Sequence, residues 1–136
     1  MPRPALPFTP KTNTHLLPGD FWSLPLSDGR FCAGRVLAKP AFGPTDRLGI
    51  HVGLLDWIGS EPPTASALAG CRVLASAKAR VEAIANTGGQ VLGNRSLDED
   101  GIAPPAPEKF AVGEKTSVWG WRTILNRAEA HFLGGT

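Results

Sequence analysis

The chain has 136 residues, with 14 Lys+Arg against 12 Asp+Glu, 16 Gly, 13 Pro, and 33 residues that are Val, Ile, Leu or Phe. That length suits a single domain and argues against a two-domain enzyme; the apolar share is enough to fold, and so much Gly and Pro argues against long helices and coiled coils. Basic residues scattered singly give no footprint for a nucleic-acid backbone, and no apolar run approaches the roughly 20 residues that span a bilayer.

Residues 1–18 contain Pro2, Pro4, Pro7, Pro10 and Pro18. Such density keeps a segment out of a central strand or helix, so 1–18 reads as a Pro-rich arm that lies over the surface or is mobile, ahead of a domain that runs from 19 to 136. No signal-peptide apolar core precedes the domain, and the expected location is the cytoplasm. From Gly19 the run GDFWSLPLSDGRFCAGRVL reads as a hairpin around Asp28-Gly29, a dipeptide suited to a two-residue type I′ turn. That register sets Leu24 opposite Ala33 and Trp22 opposite Arg35, and Pro25 predicts an edge strand or a bulge. Residues 47–58 alternate, with Leu48, Ile50, Val52 and Leu54 forming a core face.

After a loop at 60–70 and a short strand at 71–74, Ala77, Val81, Ile84 and Ala85 recur at helical spacing. They predict a helix near 76–86 capped by Ser76. QVLGNRSL reads as extended, and the acidic, Pro-rich DEDGIAPPAPEK predicts an exposed loop near 98–116. SVWGWRT is strand-like, and Leu125, Ala128 and Phe132 predict a short C-terminal helix. The predicted fold class is mostly β (α+β): a small, strongly bent antiparallel sheet or partly open barrel with these two helices.

Chemistry-bearing patterns are sparse. Cys32, His51 and Asp56 supply the residue types of a nucleophilic triad, but without a G-x-S-x-G elbow or a Cys-centred signature. His15, His51 and His131 show no metal-ligand spacing, and Cys32 and Cys71 read as buried thiols. No Gly-rich segment has a phosphate-loop pattern. The expectation is therefore no catalytic residues, no metal and no cofactor. Binding is better served: four Trp stand in a chain with no Tyr, and Trp is enriched at binding hot spots. Trp57 and Trp119 read as core. Trp22 with Arg35, and Trp121 with Arg122, are candidate partner-binding pairs, and Asp98, Glu99 and Asp100 are candidate steering charges.

The hairpin carries a resemblance. Gly19-Asp20, an aromatic-rich strand ending in Pro25-Leu26, the Asp28-Gly29 turn, and Gly34 before Arg35-Val36 are similar to the opening of the Immunity protein 26 family, with weaker echoes at Gly93 and Leu97 and at Trp119-Gly120. The resemblance implies a mostly β, non-catalytic domain of bacterial polymorphic toxin systems. Such a domain binds and neutralises a cognate toxin encoded nearby, in the cytoplasm. Two other readings stay open: a small-ligand or carbohydrate-binding module using surface tryptophans, and a small hydrolase around His51 and Cys32. The sequence points to no nucleic-acid or membrane partner and leaves the oligomeric state undetermined.

Overall fold

A computed structural model describes residues 3–43, 45–103 and 118–134. It is mostly β and of the α+β class. Strands β1 (Asp20–Pro25), β2 (Phe31–Ala38), β3 (Gly49–Gly59), β4 (Val73–Arg80) and β5 (Val91–Asn94) form one antiparallel sheet in the order β4-β3-β2-β1-β5, which does not close into a barrel. Helix α1 (Glu82–Ala85) follows β4, a 3-10 turn (Leu97–Asp100) follows β5, and helix α2 (Thr123–Phe132) lies near the C-terminus.

The β1–β2 hairpin forms where Asp28-Gly29 predicts it, with a different turn. Gly29 N–H donates to the Leu26 carbonyl (3.1 Å), Leu26 N–H donates to the Arg30 carbonyl (2.8 Å), and Gly29 has φ +91°. This is a type I turn followed by a left-handed glycine, a three-residue loop rather than a two-residue one. The extra residue slips the register by one, so Leu24 faces Cys32, Trp22 faces Gly34, and Phe21 faces Arg35. Nor is β1 an edge strand: β5 covers Asp20 to Trp22, Pro25 lies beyond that pairing, and the bulge sits at Phe21/Trp22.

The sheet is packed on both sides, each strand sending alternate residues to opposite faces. Trp22, Leu24, Cys32, Val36, Ile50, Val52 and Leu54 feed the larger core, closed by Ile84 of α1, by Ile124, Leu125 and Ala128 of α2, and by Leu16 and Phe8 of the N-terminal arm. The expected core face of β3 is thus present. Trp22 is fully buried and its ring lies over Gly34, where a Cβ atom would run into the indole carbons. The second face holds a smaller cluster of Phe21, Ala33, Leu55 and Leu68, with Trp57, Cys71, Val73 and Leu92 packed against it.

The helix predicted near 76–86 is largely strand. β4 continues to Arg80, Ser76 pairs with Gly53 instead of capping a helix, and only Glu82–Ala85 is helical. Ala77, Ala79 and Val81 alternate as well as recurring at helical spacing, and the ladder from β3 decides between the two periods. SVWGWRT is also not a strand in its described part: Val118 makes one bridge to Lys78, and the chain turns into α2 at Thr123. The arm is docked by a backbone bridge between Phe8 and Val91 of β5 and by side chains. The Asn13 amide donates to the Gly49 carbonyl (2.9 Å), and Lys39 Nζ donates to the carbonyls of Asn13 (2.7 Å) and Thr14 (2.8 Å).

Candidate functional site

Leaving β5, the chain passes Arg95 and Ser96 into the 3-10 turn, whose first turn holds Asp98, Glu99 and Asp100. It closes through Ile102 N–H to the Leu97 carbonyl (3.0 Å) and Gly101 N–H to the Asp98 carbonyl (3.2 Å). The three acids, adjacent in sequence, have different fates. Asp98 and Glu99 are exposed, Glu99 lying 3.6 Å from Arg95. Asp100 turns inward, and its side chain is fully buried.

Asp100 is the hub of a polar knot on the smaller face of the sheet. Its carboxylate accepts from Arg95 Nε (2.8 Å), from Arg35 Nη1 (2.8 Å) and from Gly70 N–H (2.8 Å). Arg35 is itself fully buried, and its Nη2 donates to the carbonyls of Arg95 and Ser96. The Arg95 hydrogen bonds hold the Asp100 carboxyl well below the ordinary carboxylate range. Burial opposes that shift, and Gly70 N–H and Arg35 reinforce it. Asp100 in turn raises the Arg95 pKa. One carboxylate thus ties together β2, the 61–72 loop and the turn after β5.

Beside the turn lies an open groove of about 370 Å³ lined by Leu17, Pro18, Asn94, Ser96, Leu97 and Asp98. Behind it, the fully buried Asp20 accepts from Arg3 (2.6 Å), Asn94 Nδ2 (2.9 Å) and Leu17 N–H (2.9 Å). Arg3, Asp20, Asn94 and Arg95 escaped identification in the sequence as members of this region. The available signal was Gly19-Asp20 within the resemblance.

Two candidates of the sequence reading are corrected as exposed partner-binding residues: Trp22 and Arg35 are buried. Trp22 gives its indole N–H to Thr87 Oγ1 (3.1 Å), since a buried Trp requires an acceptor. The one-residue register shift separates it from Arg35, which serves Asp100. Asp100 is likewise an anchor and not an outward charge. Trp121, 43% exposed, and Arg122 stay on the surface at the start of α2. Arg122 Nε bonds Asn126 (3.1 Å), while the cation over an indole is Arg127, 5.1 Å from the Trp119 ring. The part of the expected 98–116 loop beyond Ala103 lies outside the described residues.

The triad residue types do not converge. Cys32 pairs with Ile58 and His51 pairs with Ala38. That separation along β2 is roughly 20 Å at the rise of an extended strand. Burial pushes the Cys32 thiol up to about 12, so it is no thiolate at neutral pH. Asp56 pairs with Arg72 (3.2 Å). Among the described residues no group of three or more His, Cys, Asp or Glu side chains is placed to hold a metal ion, and no helix is long and apolar enough to cross a membrane. No protein-family model, curated protein or solved structure matches the chain.

Proposed function

We propose that this chain is a non-catalytic immunity protein that binds a cognate bacterial toxin domain in the cytoplasm and neutralises it by occlusion. The observation that carries the reading is the turn after β5. Asp98 and Glu99 project outward while Asp100, gripped by Arg35 and Arg95, fixes the backbone beneath them. An interface presented on a backbone already ordered loses little entropy on association. Residues shared with the family resemblance build this platform: Arg35 holds Asp100, and Asp20 secures Asn94 beside the turn. The charge of Asp98 and Glu99 suits a basic partner, steering its approach at low ionic strength.

The test is to express the products of the flanking genes with this chain. The expected result is a product that kills alone, is rescued by this protein and co-elutes with it one to one. A standard interface of roughly 1,600 Å² in total is anticipated. Failure of every flanking product to bind overturns the reading. Exposed Trp121 supports a second reading, a carbohydrate- or small-ligand-binding module, which tryptophan fluorescence against a sugar panel tests.

A further inference from the structure

The groove beside the turn has an unusual hydrogen-bond inventory. Its walls are apolar at Leu17, Pro18 and Leu97, with Leu17 46% exposed. The polar side chains of the lining offer mainly acceptors. Both hydrogens of the Asn94 amide are committed, to the Pro18 carbonyl (3.1 Å) and to Asp20 (2.9 Å), which leaves Asn94 Oδ1 as an acceptor. Arg95, between the lining residues Asn94 and Ser96 in sequence, bonds Asp100 and lies near Glu99. The Asp98 carboxylate, exposed on the rim, takes part in no ion pair among the described residues. The Ser96 hydroxyl makes no capping bond, so it can accept or donate. An apolar trough rimmed by acceptors and a carboxylate without an ion pair among the described residues complements a long aliphatic stem ending in a cation.

We infer that this groove receives a Lys or Arg side chain of the partner protein, its stem on Leu17, Pro18 and Leu97 and its charged head on Asp98 and Asn94 Oδ1. This deepens the immunity reading by naming the chemistry of the partner, and it rests on that reading for the partner's being a protein. A volume of about 370 Å³ takes one such side chain with room for water. Arginine would engage Asp98 with two parallel N–H donors and lysine with one, so an arginine-bearing partner holds more tightly.

The test uses the isotopically labelled full chain, titrated with an uncharged Gly/Ser peptide carrying one central lysine and followed by amide chemical shifts. A matching peptide with norleucine in place of lysine is the control. The expected result is saturable movement at the amides of Leu17, Ser96 and Asp98 with the lysine peptide alone, weakened about tenfold by Asp98→Asn, the equivalent of one charge-assisted hydrogen bond. Equal response in Asp98→Asn overturns the inference, as do shifts spread over distant acids such as Asp56 and Glu61. Spermidine saturating the same amides more tightly than the peptide overturns the assignment to a protein side chain. A flanking toxin that binds Asp98→Asn as tightly as the native chain sinks the groove and leaves the immunity reading standing. Peptide binding without any co-eluting product does the reverse.

Discussion

Adjacent residues of β2 serve two differently built faces of one sheet. Gly34 faces the larger core, where it is empty space for Trp22, and the packing there is almost wholly apolar. Arg35 faces the other way, into a small apolar cluster supplemented by the Asp100 knot. One face is held by volume and the other in large part by charge. Agents that act on charge should therefore distinguish the faces, whereas agents that act on packing should fall hardest on the helix-covered side.

The largest effect is expected from Asp100→Asn, which leaves Arg35 buried with its countercharge gone. Breaking a buried pair from one side costs about 3–5 kcal/mol, readable by urea unfolding. Replacing both partners by apolar residues, Arg35→Met with Asp100→Leu, should recover much of that loss. If it does not, the knot contributes more than the relief of its own desolvation. Gly34→Ala comes next: its Cβ meets the Trp22 ring, which Leu24, Val36 and their neighbours confine, and overpacking of this sort costs about 1–3 kcal/mol. A Gly34→Ala protein as stable as the parent would show that the apolar face yields more readily than described.

Acid sharpens the contrast. Asp100 is held below its ordinary pKa by the arginines. Asp46 is also lowered: burial raises it, but backbone N–H groups of Leu48, Phe42, Gly49 and Ala41 outweigh that. A carboxylate depressed in the folded state contributes stability that is full above its unfolded pKa and is lost as pH falls through the folded one. Unfolding free energy should therefore decline below about pH 4 in the native chain. It should decline less steeply in Asp100→Asn, where only Asp46 remains of the two.

Smaller losses test the packed face and its surface tie. Thr87→Val strands the buried Trp22 indole N–H and should cost about 1–3 kcal/mol, with a shift in tryptophan emission. Glu129→Gln weakens the exposed contact of α2 with Ser27 at the hairpin tip, made to its N–H (2.8 Å) and hydroxyl (3.0 Å), and should cost about 1 kcal/mol or less. A larger loss there would mean that the tip anchors α2.

What sequence reasoning read well was local. The alternation of Ile50, Val52 and Leu54, the turn at Asp28-Gly29 and the apolar stripe of α2 depend on neighbours within a few residues. The hairpin register was lost because a two-residue and a three-residue loop can share the same Asp-Gly, and that single step moved Trp22 away from Arg35. Ala77, Ala79 and Val81 were ambiguous between two periods, and the partner that decided the matter, β3, lies elsewhere in the chain. Of the candidate site, Asp98 and Glu99 were legible as surface charge. The burial of Arg35 and Asp100 was not, because a buried ion pair needs a partner that sequence cannot supply: the two are 65 residues apart. Asp20 and Asn94, 74 apart, share that difficulty.

The distance along the chain between partners also bears on how the molecule reaches its native state. β1 joins β2 through a tight loop, but it joins β5 only after the intervening strands are threaded, and Ser27 waits for Glu129, 102 residues away. Such long-range closures come late, because the entropy of large loops is lost before their contacts form. The β1–β2 hairpin should assemble first, the β5 turn later and the contact of α2 with the hairpin tip last, with refolding in roughly milliseconds to seconds. A nascent chain would thus display Phe21 and Arg35 uncovered until the segment beyond residue 90 emerges, and its larger face would stay open longer still, until α2 at Thr123–Phe132 follows.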